Sequence, residues 1–239
     1  MSVAAWTQYW CHEKQIPVEF FPSVDSTSNY AKSMVNDPLE NHHNLHLVLA
    51  ENQTSGRGRG LNSWVNIEGG SALLSTWSFR LTRPPQPIMS ARIGLAVYQA
   101  ATKAWPDVPF SLKAPNDLFL GSKKVAGILL EAIEQGPQIR LLIGLGMNVL
   151  ESPALETATA LKERVSPELI QANWEVFLTE LYKNFQESCD QVSPHLNTFD
   201  IERLIVALNS YPGLKAPYSK IDPDGSLWIG SQQIHWSQL

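Results

Sequence analysis

Apolar residues along this 239-residue chain recur at two spacings, one typical of helices and one typical of strands. Residues 88–105, 174–188 and 199–208 have apolar positions spaced three and four residues apart, so the pattern predicts a helix over each of these ranges. A fourth helix is predicted to start at Asp25-Ser26-Thr27-Ser28, because residues of this kind cap helix N-termini. Its apolar side would be formed by Ala31, Met34 and Val35.

Short apolar runs between these helices predict strands over residues 45–50, 72–80, 110–113, 117–120, 124–133 and 139–149. Near the end of the chain, Asp222-Pro223-Asp224-Gly225 predicts a turn before the apolar triplets at 227–229 and 234–236. The elements favour an α+β fold, a mixed β-sheet with packed helices followed by a short β tail. We expect a large domain of residues 1–211 and a small β appendage of residues 212–239.

Composition narrows the classes of function. The formal net charge of −5 argues against a broad nucleic-acid-binding surface, so anion recognition must be local. Cys11 and Cys189 have neither metal-binding nor redox spacing and are expected to be free thiols. The first residues lack the basic-then-apolar pattern of a signal peptide, and no apolar run is long enough to span a membrane. These features predict a cytoplasmic protein.

The most distinctive segment is residues 53–64, which read Gln-Thr-Ser-Gly-Arg-Gly-Arg-Gly-Leu-Asn-Ser-Trp. Glycines let the backbone fold closely around a ligand, and the two guanidinium groups can each bind a carboxylate or phosphate through two hydrogen bonds. No acidic residue lies between Glu51 and Glu68 to neutralise Arg57 and Arg59 locally. The segment therefore predicts an anion-binding loop.

Three further segments could contribute to a site, although each also has a purely structural interpretation. Residues 113–117, Lys-Ala-Pro-Asn-Asp, could present Asn116 to a nucleotide and Asp117 to a magnesium ion, but taken alone they more simply form a hairpin turn. Residues 124–131, Lys-Val-Ala-Gly-Ile-Leu-Leu-Glu, place Lys124 at the start of a buried strand. Residues 144–148, Gly-Leu-Gly-Met-Asn, are a weak match to a dinucleotide-binding fingerprint, because the third glycine is missing.

The order and spacing of these segments, together with Asp25-Ser26-Thr27, resemble the biotin–protein ligase family over roughly residues 20 to 150. The resemblance implies a class II synthetase-like biotin/lipoate ligase catalytic domain, and the tail from about residue 212 is similar to a shortened SH3-like domain. It implies an ATP-dependent, AMP-forming enzyme that makes biotinyl-5′-AMP from biotin and ATP. The biotinyl group then passes to a lysine of a biotin carboxyl carrier protein, the subunit of acetyl-CoA carboxylase.

The resemblance also implies roles for particular residues. Arg57 and Lys124 are the catalytic pair, which would bridge the biotin carboxylate and the α-phosphate of ATP. The expected biotin-binding residues are Ser26, Thr27, Gln53, Gly56, Arg57, Lys124, Gly127 and Gly144. The expected ATP-binding residues are Arg59, Asn62, Trp64, Asn116 and Asn148, with Asp117 as the ligand for Mg²⁺. The loop 55–63 is expected to close over the adenylate and shield it from water.

Two segments depart from the family pattern. Many bacterial members read Gly-Arg-Gly-Arg-Arg-Gly-Arg-Lys-Trp, whereas this chain has Gly60-Leu61-Asn62-Ser63 before Trp64. Ala114 also replaces the usual tryptophan. We expect these differences to alter the ATP contacts and the packing beneath the loop rather than the identity of the site.

Other functions remain open at this stage. A lipoate or octanoate ligase of the same fold would carry an Arg-Arg-x-x-Gly-Gly-Gly motif where this chain has its Gly-Arg loop, and a non-catalytic biotin-binding homologue would not need both Arg57 and Lys124. A nucleic-acid-binding protein is the weakest alternative. About 24 residues precede Asp25, too few for a winged helix-turn-helix, so no DNA binding is expected. We expect a monomer or a homodimer.

Overall fold

The computed structural model describes residues 2–35, 43–65, 67, 69–135 and 138–239. In chain order the elements are α1 (Val3–Glu13), β1 (Val18–Phe21), α2 (Thr27–Met34), β2 (Leu45–Ala50), β3 (Ala72–Leu81), α3 (Met89–Ala104), β4 (Phe110–Lys113), β5 (Asp117–Leu120), β6 (Lys123–Gln135), β7 (Gln138–Asn148), α4 (Pro167–Asp190), α5 (Thr198–Asn209), β8 (Lys220–Ile221), β9 (Leu227–Ile229) and β10 (Gln232–Ile234). Short 3-10 helices cover Leu161–Glu163 and Trp236–Gln238.

The chain divides into two compact units, and the three boundaries fall between β3 and α3, within β6 and within α4. The first unit comprises Met1–Pro85 and Val125–Glu175, and the second comprises Gln86–Lys124 and Val176–Leu239. The α+β class and the mixed sheet are as the sequence predicts. The expected boundary between a catalytic domain of residues 1–211 and an appendage of residues 212–239 stays a prediction.

The first unit is built on strands in the order β1-β2-β3-β7-β6, with β1 parallel to β2 and the other pairs antiparallel. One face of this sheet packs on α1, where the Trp10 and Trp77 rings lie 6.0 Å apart. The start of α4 joins this layer, because the indole N–H of Trp174 donates to Thr7 Oγ1 at 3.0 Å. These contacts leave the opposite face to α2.

The α2 face of the sheet carries the candidate site. Ala31 of α2 packs on Val48 and Leu142, which lie on β2 and β7. In antiparallel strands, residues directly opposite each other share a face, as do alternate residues along one strand. Leu142 lies opposite Glu131, and Gly144 lies opposite both Leu129 and Thr76. The alternate positions of β6 and β7 from these residues therefore all face α2.

The second unit has a helical core. Ile93, Val97 and Ala101 of α3 are fully buried, as are Phe177 and Phe185 of α4. The rings of Trp105 and Phe177 lie 5.3 Å apart. This unit also contains the β4–β5 hairpin and a three-stranded sheet in the order β10-β9-β8.

Several elements differ from those predicted by the sequence pattern. The helix predicted over 174–188 begins earlier, at Pro167, because proline is favoured in the first turn of a helix. The strand predicted over 234–236 ends at Ile234, since Gly230 adopts φ +59° in a tight turn that pairs Ile229 with Gln232. The pattern did not predict α1 or β1. Both cysteines are free, as expected.

No helix in the described part of the chain is long and apolar enough to cross a membrane.

Candidate functional site

Glycines line the centre of the α2 face. Gly127 of β6 lies opposite Gly146 of β7, and Gly144 lies on the same face, two residues before Gly146. A methyl group on Gly146 would come within 2.8 Å of the Trp64 ring, and one on Gly144 would come within 3.0 Å of Ser28 Oγ. A side chain at Gly146 would displace Trp64 and one at Gly144 would crowd Ser28, so glycine at both positions lets these side chains approach the sheet backbone closely.

The start of α2 places a connected set of polar groups beside these glycines. Gln53 Oε1 accepts hydrogen bonds from Thr27 N at 2.8 Å and from Thr27 Oγ1 at 3.1 Å. Thr76 Oγ1 on β3 lies 2.9 Å from Thr27 Oγ1 and 3.2 Å from Ser28 Oγ. Because all four residues are buried, this network fixes the backbone at the start of α2.

Ser26 stands apart from this network. It occupies the N-cap position of α2, yet its side chain makes no capping hydrogen bond. The residue is only 1% exposed, and among the described residues its hydroxyl has no hydrogen-bond partner. A buried hydroxyl without a partner costs free energy. Its position is therefore better explained by a ligand than by stability.

The Gly-Arg segment folds as a short hairpin-like loop. Arg57 bridges to Ser63, Gly58 N donates to Asn62 O at 2.8 Å, and Trp64 N donates to Gly56 O at 2.9 Å. A methyl group on Gly56 would lie 2.9 Å from the Trp64 carbonyl oxygen, so glycine is required there for close chain approach.

The tip of this loop is exposed. It includes Arg59, Gly60, Leu61 and Asn62, and Gly60 adopts φ +64°. Arg59 and Asn62 are thus accessible to a nucleotide. The expected closure of the loop stays a prediction.

Arg57 is held by a residue that sequence reasoning missed. Its Nη1 and Nη2 donate to the two carboxylate oxygens of Glu131 at 2.7 and 2.8 Å. Lys32 Nζ donates to the same carboxylate at 2.6 Å. Burial raises the pKa of Glu131, but the hydrogen bonds and charges of Arg57 and Lys32 outweigh burial and hold that pKa below its ordinary value. Glu131 is therefore an ionised link between β6, α2 and the loop.

Trp64 and Asn148 are the remaining predicted residues of the first unit. Trp64 is half-buried over Gly146 and packs on Ala50, Ala72 and Leu74. Asn148 ends β7 and is buried, with its Nδ2 donating to Thr159 O at 3.0 Å. Among the described residues its Oδ1 has no hydrogen-bond partner. Asn148 can therefore still accept a hydrogen bond from a ligand.

The second unit contributes a separate group of predicted residues. Residues 114–116 form the turn of the β4–β5 hairpin, so the structural interpretation of Asn116 as a turn residue is confirmed. Lys124 Nζ lies 2.7 Å from Asp117 Oδ1. The preceding Lys113 lies over the rings of Phe119 and Tyr211, 5.7 and 5.9 Å from their centroids. The hairpin thus brings Asn116, Asp117 and Lys124 together.

Within the described ranges, no group of three or more His, Cys, Asp or Glu residues could hold a metal ion. Magnesium, however, is commonly held by one or two carboxylates together with the phosphates of its substrate. A single carboxylate such as Asp117 fits that second mode of binding.

The predicted residues therefore fall into two sets. The first unit holds the α2 start, the Gly-Arg loop and the glycines of β6 and β7, that is, Ser26, Thr27, Gln53, Gly56, Arg57, Arg59, Asn62, Trp64, Gly127, Gly144 and Asn148. The second unit holds Asn116, Asp117 and Lys124. Sequence reasoning missed Lys32, Thr76 and Glu131. Glu131 could have been found, because it lies four residues after Gly127 and so shares its strand face.

Comparison with known proteins places this arrangement in a family. A model of the biotin/lipoate A/B protein ligase family matches residues 20–148. The bifunctional ligase/repressor BirA of Bacillus subtilis is 33% identical over 113 residues, which cover 45% of this chain and 33% of that protein. The biotin–[acetyl-CoA-carboxylase] ligase of Paracoccus denitrificans is 36% identical over 111 residues, which cover 44% of this chain and 45% of that protein. The match spans less than half the length of these curated relatives.

Solved structures share the fold. The biotin protein ligase of Aquifex aeolicus in complex with biotin and ATP superposes with a TM-score of 0.66 at 21% identity, covering 91% of this chain and 95% of that chain. The biotin protein ligase of Leishmania major in complex with biotinyl-5-AMP gives a TM-score of 0.62 at 21% identity, covering 89% and 94%.

Proposed function

Since the chain belongs to the biotin/lipoate A/B protein ligase family, we propose that it is a biotin–protein ligase, which activates biotin with ATP and transfers it to a lysine of a carrier protein. The observation that carries the proposal is the buried hydroxyl of Ser26, which precedes the Thr27–Gln53 pair and Ser28, the residue that lies over Gly144 of β7. A small polar ring system such as the ureido group of biotin offers both donors and acceptors to such a group of buried polar side chains. Arg57 is proposed to bind the carboxylate of biotin through the N–H groups that its pair with Glu131 does not use.

In the first step, a carboxylate oxygen of biotin attacks the α-phosphorus of ATP. The new O–P bond gives biotinyl-5′-AMP, and the bond to the β-phosphate breaks, so pyrophosphate leaves with the electron pair. The step brings two anions together, and positioned cations lower its barrier. Arg57 and Lys124 are the residues proposed for this task. Arg59, Asn62, Trp64, Asn116 and Asn148 are proposed to bind the nucleotide.

In the second step, the amine of the acceptor lysine attacks the carbonyl carbon of the adenylate. An amide forms, AMP leaves with the electron pair of the broken C–O bond, and the amine loses a proton. The acceptor proposed is the biotin carboxyl carrier protein of acetyl-CoA carboxylase, as the Paracoccus relative's name implies for that enzyme.

Magnesium is proposed as the accompanying ion. Asp117 would hold it together with the phosphates of ATP, and the ion would neutralise part of their charge. Lys124 Nζ already lies 2.7 Å from this carboxylate. A magnesium ion would therefore either share Asp117 with Lys124 or displace Lys124 from it.

The remaining features of the proposal concern the protein as a whole. We place the catalytic function in residues 1–211 and assign residues 212–239 to a small β appendage. The protein would act in the cytoplasm on small-molecule substrates and one protein partner, without binding DNA or a membrane, as a monomer or homodimer.

A lipoate or octanoate ligase is the second candidate, because the matching family model includes lipoate ligases. The Gly-Arg loop favours biotin, since the sister enzymes carry a different motif there. A non-catalytic biotin-binding homologue is the third candidate, and it is favoured by the departures at residues 60–63 and at Ala114.

The test of the proposal is transfer to an acceptor. The protein is incubated with biotin, ATP, magnesium and an isolated biotin carboxyl carrier domain. The mass of the carrier domain is then measured by mass spectrometry. We expect the carrier to gain the mass of one biotinyl group at its lysine. A carrier whose acceptor lysine is replaced by arginine is the control. An unmodified carrier, with biotin bound to the protein, would favour the non-catalytic alternative.

A further inference from the structure

Glu131 pairs with one particular edge of the Arg57 guanidinium group, the edge formed by the two terminal nitrogens. A guanidinium group carries five N–H donors, which it presents along its edges. Both bonds from Arg57 to Glu131 come from the terminal nitrogens Nη1 and Nη2, at 2.7 and 2.8 Å. The Nε–H and the second hydrogens of the terminal nitrogens lie outside this pair. Arg57 can therefore bind a second anion along its Nε edge without leaving Glu131.

Lys32 offsets the charge that Glu131 brings to the site. An acidic residue beside a binding site for an anion would by itself oppose binding. Lys32 Nζ lies 2.6 Å from Glu131, so the two cations and one carboxylate together keep one net positive charge. The side chains are partly screened from water, with Glu131 20% exposed and Arg57 33% exposed. Glu131 is thus tolerated electrostatically, and its contribution is geometric.

We infer that Glu131 is a positioning residue, which fixes the guanidinium of Arg57 so that its Nε edge faces the carboxylate of the substrate. The inference rests on the proposed function for the identity of that substrate. The alternative effect of Glu131, simple weakening of anion binding through its negative charge, predicts the opposite response to neutralisation. The two can therefore be separated by a single substitution.

The test compares biotin with its primary amide, whose side chain ends in an uncharged group. Binding of each is measured by calorimetry to the wild-type protein and to the Glu131→Gln variant. We expect Glu131→Gln to weaken biotin binding about tenfold, since one charge-assisted interaction loses its geometry. Binding of biotinamide should change much less, because its uncharged amide cannot form the two-oxygen ion pair with the Nε edge. Glu134→Gln, which removes an exposed carboxylate from the same strand, is the matched control and should leave both affinities unchanged.

Two results would overturn the inference. Tighter binding of biotin to Glu131→Gln would mean that the charge of Glu131 dominates over its geometry. Equal weakening of biotin and biotinamide would mean that the substitution damages the pocket as a whole.

A ligand-free measurement keeps the inference separate from the proposed function. In the wild-type protein, hydrogen bonds to Glu131 should hinder rotation of the Arg57 terminal nitrogens, so their NMR signals should be resolved. They should broaden in Glu131→Gln and persist in Glu134→Gln. Arg57→Lys identifies the signals. If the wild type does not bind biotin, the proposed function fails, and these spectra still decide whether Glu131 holds Arg57.

Discussion

At the scale of single residues, two buried serines at the start of α2 differ in their hydrogen bonds, so we expect their substitutions to affect ligand binding and folding stability differently. Ser28 Oγ lies 3.2 Å from Thr76 Oγ1, whereas Ser26 Oγ has no partner among the described residues. We expect Ser28→Ala to lower the free energy of unfolding by about 1 kcal/mol, because it leaves Thr76 with one interaction fewer. Ser26→Ala should leave the free energy of unfolding unchanged or slightly raised, because it removes a buried hydroxyl without a partner, but it should weaken biotin binding about tenfold.

Urea unfolding and calorimetry with biotin measure the two effects. Each serine variant is the control for the other. A Ser26→Ala protein that binds biotin as tightly as the wild type would remove Ser26 from the pocket.

Lys124 offers a second test at this scale, because its neighbour Lys123 is an exposed lysine on the same strand. Lys124 is half-buried against Asp117, and the proposal directs its charge to the reacting phosphate. We expect Lys124→Ala to slow adenylate formation by at least about a hundredfold, as for the loss of other transition-state contacts. Lys123→Ala should keep the wild-type rate. Similar rates for both variants, measured by pyrophosphate release, would contradict the role of Lys124.

The ion pairs of Glu131 predict a dependence of stability on pH. The pKa of Glu131 is lowered in the folded protein, so its contribution is fully present above the ordinary value of 4.5 and is lost as the pH falls through the folded value. We therefore expect the wild type to lose more stability than Glu131→Gln below pH 4.5. Urea unfolding of both proteins across this range measures the difference. Parallel curves would show that the pairs contribute nothing to folding.

At the scale of elements, the sequence pattern predicts those whose burial is periodic along the chain. The helix predicted over 88–105 is α3, bounded by Ile88 and Trp105 as its caps, and the predicted strand over 45–50 is β2. By contrast, the buried side of α1 has the polar Thr7 at its centre, between Val3-Ala4 and Trp10-Cys11, so its apolar residues alone do not form a continuous helical pattern. β1 has four half-buried residues and pairs with β2 across 29 positions, which a local pattern cannot reveal.

Gly146 in strand β7 and Gly94 in helix α3 should respond in opposite ways to substitution by alanine. A methyl group on Gly146 would meet the Trp64 ring at 2.8 Å, whereas one on Gly94 of α3 meets nothing within 4 Å. Gly146→Ala should therefore lower the free energy of unfolding by about 1–3 kcal/mol through overpacking. Gly94→Ala should raise it by about 0.5–1 kcal/mol, because alanine restricts the unfolded chain and favours the helix. Urea unfolding tests both, and a neutral Gly146→Ala would show that Trp64 can shift without cost.

At the scale of the whole molecule, the candidate residues come from segments that are far apart in the sequence. Residue types and motif order were enough to propose Ser26, Arg57 and Lys124. They could not reveal that Glu131 binds Arg57 from 74 positions away, since that contact depends on the strand register and on α2. Nor could they show which buried polar groups lack a protein partner, because this requires every neighbouring atom to be placed.

The proposed function requires this protein to activate biotin as an adenylate. The most direct measurement is biotin-dependent exchange of labelled pyrophosphate into ATP, with lipoate as the control substrate. We predict exchange with biotin and none with lipoate. Exchange with lipoate instead would assign the protein to the sister enzymes, and no exchange with either substrate, despite measurable binding of biotin, would contradict the claim of catalysis.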